Sequence, residues 1–167
     1  MTLYLMRHAE ALSMSQAGVG SDEDRPLSAR GIDAASRAGR AMKGAGLQAD
    51  RMLISPLLRA RQTAEQVAAE LGCADRIEVC RALQPGCVPE QFFEALREHH
   101  EAGVVIAVGH QPLLGEIAYQ MASGKGGQAP SIQPAEIVRA QLVDFPRSTR
   151  AVVLARWDPE RIRNTAA

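Results

Sequence analysis

The chain has 167 residues, 46% of them hydrophobic, and its 19 basic side chains are balanced by 19 acidic ones. That length buries one substantial core and is short for two, so residues 1–167 are expected to form a single domain. Zero net charge removes the electrostatic case for a nucleic-acid or anionic-membrane partner. No apolar run approaches the roughly 20 residues of a membrane span, and the first basic residue follows the N-terminal apolar run, opposite to a secretory signal. The expectation is a soluble cytoplasmic monomer in which any positive site is local.

The first element is a strand over Leu3 to Met6, which ends abruptly in Arg7-His8. A helix is expected over Ser28 to Lys43 with Ser28 as its cap, then a strand over Arg51 to Ile54. The clearest helix follows Ser55-Pro56, where serine suits the cap and proline the first helical position. Leu57, Ala60, Ala64, Val67, Ala68 and Leu71 hold one face, and Gly72 is placed to end it. Next come a strand over Ile77 to Cys80, a helix over Glu90 to Glu101 carrying Phe92, Phe93 and Leu96, and a strand over Val104 to Val108. A helix from Pro112 buries Leu113, Leu114, Ile117, Ala118 and Met121, and strands over Ile137 to Val143 and Ala151 to Arg156 complete the set. Short aliphatic runs alternating with stretches of helical period predict an α/β domain, three layers around a mostly parallel central sheet.

Three features invite a function and carry none. Ser123 to Pro134 is glycine-rich but lacks the Walker spacing, and it reads as a surface loop. Cys73, Cys80 and Cys87 are widely spaced with no CxxC pair, and Pro85-Gly86 puts them on different elements, so neither metal nor disulfide is expected. His99 and His100 read as the polar end of an amphipathic helix.

In parallel α/β sheets, ligands bind where strands exit into helices. One strand exits into Arg7-His8, another into Ser55 to Arg59, and a third into Gly109-His110 just before a helix. If these strands are parallel, one sheet edge gathers two histidines, two arginines and two helix N-termini, which is a site for an anion. A tetrahedral phosphoryl dianion uses more of those donors than a carboxylate does. A histidine held among arginines can attack phosphorus and form a phosphohistidine that water later hydrolyses, while the arginines neutralise the equatorial oxygens. Neighbouring positive charge keeps such a histidine neutral. The scheme needs no metal and no other cofactor.

Four stretches resemble the signatures of the histidine phosphatase superfamily, also called phosphoglycerate mutase-like. Arg7-His8-Ala9-Glu10 is similar to its RHG signature, Arg25-Pro26-Leu27-Ser28-Ala29-Arg30-Gly31 to its R-P-L-[ST]-x-x-G stretch, Ser55 to Ala64 to its S-x-L-x-R-A-x-Q-T-A element, and Val108-Gly109-His110 to its second histidine motif. The compact length and "VGHQPLLGEIA" resemble the SixA-type branch of small phosphohistidine phosphatases. The resemblance implies His8 as nucleophile, Arg7, Arg59 and His110 as the rest of the phosphate pocket, and Arg25 either contacting phosphate or bracing the loop beside it. A phosphohistidine-carrying protein is the implied substrate. A small phosphoester, or a phosphate-binding module without turnover, stands as the alternative.

Three positions depart from the family pattern. Ala9 replaces the signature glycine, a small change that leaves room for the pocket while bearing on the turn. Gln111 stands where the acid-phosphatase branch has aspartate, and no glutamate lies near Leu83-Gln84-Pro85, where the mutase branch carries its proton donor. An ester leaving group needs a proton more than an imidazole does, so the missing acid favours a P–N substrate. Asp22 or Asp24 could supply a proton if their loop folds over the site, the bland alternative being a solvated acidic loop.

Overall fold

The computed structural model describes residues 1–122 and 129–157. Six strands, β1 (Thr2–Arg7), β2 (Arg51–Ile54), β3 (Ile77–Val79), β4 (Val104–Gly109), β5 (Ile137–Leu142) and β6 (Ala151–Trp157), form one sheet in the order β3-β2-β4-β1-β5-β6. β3, β2, β4 and β1 run parallel, whereas β5 is antiparallel to β1 and β6 to β5. The reversal has a visible cause. The chain enters β5 at the edge where β1 exits, with the Ala135 N–H donating to Arg7 O (3.1 Å) and the Arg7 N–H to Glu136 O (3.1 Å).

The central strands are apolar throughout because both sheet faces are covered. Leu3, Leu5, Val105 and Ala107 face α4 (Pro89–Arg97) and α5 (Leu113–Met121), packing with Phe92, Phe93, Leu96, Leu114 and Ile117. Met6, Met52, Ile54, Ile106 and Val108 face the other way, against Met42 of α2 (Ala29–Gly44) and Ala60, Ala64 and Val67 of α3 (Leu58–Leu71). α2 can approach α3 because Gly39 carries no Cβ: one there would lie 3.0 Å from the Val67 Cα. The three-layer α/β architecture is thus the expected one.

Two element ends differ from expectation. α3 begins at Leu58, three residues after Ser55, and Leu57 occupies its cap without a side-chain bond; the Ser55 hydroxyl accepts from the Leu57 N–H only at 3.4 Å and makes its shorter bond with His110, 55 positions away. α4 stops at Arg97 rather than Glu101. The N–H groups of His99 and His100 donate to Leu96 O and Arg97 O, tighter bonds that close the last turn, so both histidines lie beyond the helix. A short helix α1 (Met14–Ala17) and a 3-10 turn (Asp22–Asp24) occupy the excursion between β1 and α2. The neck of that excursion is closed by a bridge between Ala11 and Leu27 and by the Leu12 N–H on Pro26 O (2.9 Å). Of the loop expected over Ser123 to Pro134, residues 123–128 lie outside the described residues, and 129–134 carry no helix or strand. No described helix is long and apolar enough to cross a membrane.

Candidate active site

β4 lies between β1 and β2, so the three expected exits are neighbours on one edge. Pairing continues past the strands: the His8 N–H donates to Gly109 O and the Ser55 N–H to Val108 O, each at 3.0 Å. His8, Ser55 and His110 therefore leave the sheet together, and the His8 and His110 rings lie 5.0 Å apart between centroids. α3 and α5 start at this same edge, neither capped by a side chain.

Arg59, in the first turn of α3, is almost fully buried and reaches across to His8, its Nε 3.3 Å from His8 Nε2. His8 Nδ1 lies 2.8 Å from Ala9 O. A carbonyl can only accept, so Nδ1 carries the proton and Nε2 presents its lone pair. Burial, reinforced by the charges of Arg59, Arg7 and Arg25, pushes the His8 pKa down from 6.5 to about 4 against the opposing pull of the Ala9 bond. Burial does the same to His110, helped by His8 and Arg59, taking it to about 3. Both imidazoles are neutral at pH 7.

Arg7 donates from Nη1 to Ile132 O (3.0 Å), while its Nε is buried without a partner. Arg25 donates from Nε to Leu12 O (2.7 Å) and pairs through Nη1 with Asp22 (2.8 Å). The acidic turn folds onto the site: Asp22 accepts from Arg59 Nη1 at its backbone oxygen (2.7 Å) and from Arg59 Nη2 at its carboxylate (2.9 Å). The hydrogen bond from Arg25, and then that from Arg59, hold the Asp22 carboxyl below its ordinary range despite some desolvation, so it carries no proton at pH 7.

Three further residues emerge that the sequence reading did not single out, all inside the Ser55 to Ala64 stretch. The Ser55 hydroxyl lies 2.8 Å from His110 Nε2. The Thr63 hydroxyl accepts from the Ala9 N–H (3.0 Å) and donates to Arg59 O (2.7 Å), tying the loop after His8 to the helix that carries Arg59. Gln62 accepts the Leu27 N–H at 2.8 Å and so fastens the neck of the excursion. The available signal was their presence in the motif, where Thr63 recurs four positions after Arg59 on one helix face.

The departures from the family pattern each have a local account. Ala9 is fully buried with Leu27 and Ala35 and has no left-handed backbone, so the extra methyl fills space and leaves the turn unstrained. Gln111 donates to Pro130 O (3.1 Å), two residues before the oxygen that takes Arg7, and Gly115 leaves room, since a Cβ there would lie 2.2 Å from Pro130 O. Leu83 is fully buried, its Cδ2 3.4 Å from where a Cβ on Gly109 would lie. Among the described residues no group of three or more histidine, cysteine, aspartate or glutamate side chains is placed to hold a metal, and Cys73, Cys80 and Cys87 are free thiols.

A sequence model of the histidine phosphatase superfamily (branch 1) matches residues 3–84. The chain is 36% identical over 141 residues to an uncharacterized Picosynechococcus protein, spanning 83% of each. It is 32% identical over 129 residues to the phosphohistidine phosphatase SixA of Escherichia coli, spanning 75% of this chain and 76% of that one. The fold matches that of the protein histidine phosphatase SixA complexed with tungstate at a TM-score of 0.83 and 26% identity, over 97% of this chain and 99% of that one. Motif order, strand-exit geometry and relatedness over most of the chain agree, and the chain belongs to the histidine phosphatase superfamily, with SixA proteins among its relatives.

Proposed function

We propose that this chain is a cytoplasmic, metal-independent phosphatase that removes phosphate from a phosphorylated histidine on a protein, working as one domain over residues 1–167 with His8 as covalent nucleophile. The observation that carries this reading is the orientation of His8: the Ala9 carbonyl fixes the proton on Nδ1, and the unprotonated Nε2 accepts from Arg59 Nε. In the first step the Nε2 lone pair forms a bond to phosphorus as the substrate P–N bond breaks. The departing imidazole keeps that electron pair and leaves as a neutral ring when its other nitrogen already carries a proton. Water then attacks phosphorus, the bond to His8 breaks back onto Nε2, and inorganic phosphate departs with the proton from water.

Arg7 and Arg59 stabilise the equatorial oxygens as charge develops. The buried, unpartnered Nδ1 of His110 donates to a phosphoryl oxygen while the Ser55 hydroxyl donates to its Nε2, which sets the tautomer this role requires. Arg25 serves phosphate binding through its charge, and its own bonds brace the excursion.

The ionised Asp22 favours the P–N substrate class. An alkoxide leaving group needs a proton in the transition state, and a carboxylate committed to two arginines supplies one poorly. A protonated phosphohistidine brings its own proton. The SixA relatives, named as phosphohistidine phosphatases, support the same class.

The test compares turnover of a phosphohistidine-carrying protein with that of a panel of small phosphoesters, for the parent and His8→Asn, with alkaline-quenched samples checked for phosphate on His8. Selective loss of protein phosphohistidine through a labelled His8 is the expected result. Faster ester turnover would replace the substrate with a small molecule, and absence of both would reduce the protein to a phosphate-binding module.

A further inference from the structure

The guanidinium of Arg59 has its three nitrogens divided between two partners, and the division is informative. Nε meets His8, while Nη1 and Nη2 are both taken by Asp22, one by its backbone oxygen and one by its carboxylate. Because the guanidinium is planar and rigid, holding its far end fixes the direction of its near edge. Asp22 is itself held. Its other carboxylate oxygen takes Arg25, whose Nε is bound at the neck of the excursion, and Ser21 caps the turn by accepting the Glu23 N–H.

We infer that Asp22 is a positioning residue, which clamps the Nη end of Arg59 so that its Nε edge stays directed at the phosphoryl group bound on His8. Two other roles fit the geometry less well. An internal stand-in for phosphate would lie between Arg59 and His8, but those two groups contact each other directly through Nε, and Asp22 is bonded to Nη1 and Nη2 instead. A proton donor would keep a hydroxyl free for the leaving group, whereas both Asp22 oxygens accept from arginine. Arg59 has only 6% of its side chain exposed, but Asp22 has 53%, so the holding group stands at the rim without closing it.

The role rests on the phosphatase reading, and the test separates the two. Asp22→Asn, Asp22→Ala, Arg59→Lys and the Asp22→Asn/Arg59→Lys pair are compared by calorimetric binding of tungstate and by hydrolysis of aryl phosphates of differing leaving-group basicity. Lysine has no second edge to clamp. Asp22→Asn is expected to weaken tungstate binding roughly 3–10-fold, although it removes a negative charge, and to lower kcat/KM roughly 10–100-fold by the same factor for every leaving group. In the Arg59→Lys background the same change moves either quantity less than about twofold. Asp22→Ala follows Asp22→Asn, and thermal melting establishes that each variant is folded.

Tighter tungstate binding by Asp22→Asn would overturn the role in favour of a displaceable stand-in. A loss growing with leaving-group basicity would make Asp22 an acid, and losses that add in the double variant would place its action elsewhere. If the parent hydrolyses neither the aryl phosphates nor a phosphohistidine-carrying protein, the phosphatase reading fails, and the tungstate cycle still decides the clamp.

Discussion

His110 Nε2 lies 2.8 Å from the hydroxyl of Ser55, a fully buried serine from the adjacent strand exit, and this bond determines which way the imidazole faces. Ser55→Ala deletes it and leaves a buried ring nitrogen unpaired. A buried bond of this kind is worth about 1–2 kcal/mol, and a loss near 1.4 kcal/mol in the transition state is tenfold in rate. We expect kcat to fall roughly tenfold with native circular dichroism retained, measured by steady-state kinetics. Unchanged kcat would remove Ser55 from the working site.

Thr63 links the Ala9 N–H to the Arg59 carbonyl, so Thr63→Val keeps the shape and strands a buried donor. The expected cost is about 1–3 kcal/mol in urea unfolding, with a parallel loss of activity as the loop after His8 shifts. Thr63→Ser keeps the hydroxyl and restores activity. A valine variant that matches the serine variant would contradict this account.

Gly31 touches Glu10 so closely that a Cβ would lie 2.0 Å from its carbonyl oxygen, which itself accepts the Ser28 N–H at the start of α2. Backbone must move to admit a methyl group. Gly31→Ala is expected to cost about 3 kcal/mol, or roughly 6–12 °C in Tm for a chain of this size, read by calorimetry. Gly44 has nothing within 4 Å of its Cβ position, so Gly44→Ala serves as the neutral control.

The two site histidines make stability depend on pH in a defined direction. Both are neutral in the native state, with values of about 4 for His8 and about 3 for His110, but the unfolded chain protonates them near 6.5. The unfolded state therefore binds more protons below pH 6.5, and stability falls as pH drops from there toward about 4. Each histidine contributes up to about 1.4 kcal/mol per pH unit. Urea titrations from pH 7.5 to 4.5 should show this slope, and His8→Asn should flatten it. A parent whose stability rose on acidification would refute the burial argument.

What the sequence disclosed was local. Short apolar runs located the six described strands nearly to the residue, most plainly in the central strands, whose covered faces leave a continuous record. Ser28 marked the start of α2 and Gly72 the end of α3, because both caps are made locally. The misreading of Ser55 is instructive: its local chemistry suits a cap, yet it takes only a long bond from the Leu57 N–H and makes its short one with His110, distant in the chain. The direction of β5 and β6 was illegible for the same reason, being fixed by where the chain re-enters beside Arg7. α1 and the turn at Asp22 are too short and polar to leave a period, and with them the grip of Asp22 on Arg59 stayed hidden.

The interval between His8 and His110 is close to the roughly 4.8 Å that separates hydrogen-bonded strands in any sheet. The backbone ladder of β1 and β4 brings the two strand exits side by side, and the ring positions then depend on local bonds such as that from Ser55 to His110. Change in what this site accepts is left to the parts that are not rungs of that ladder: the excursion from Glu10 to Leu27 and the passage into β5.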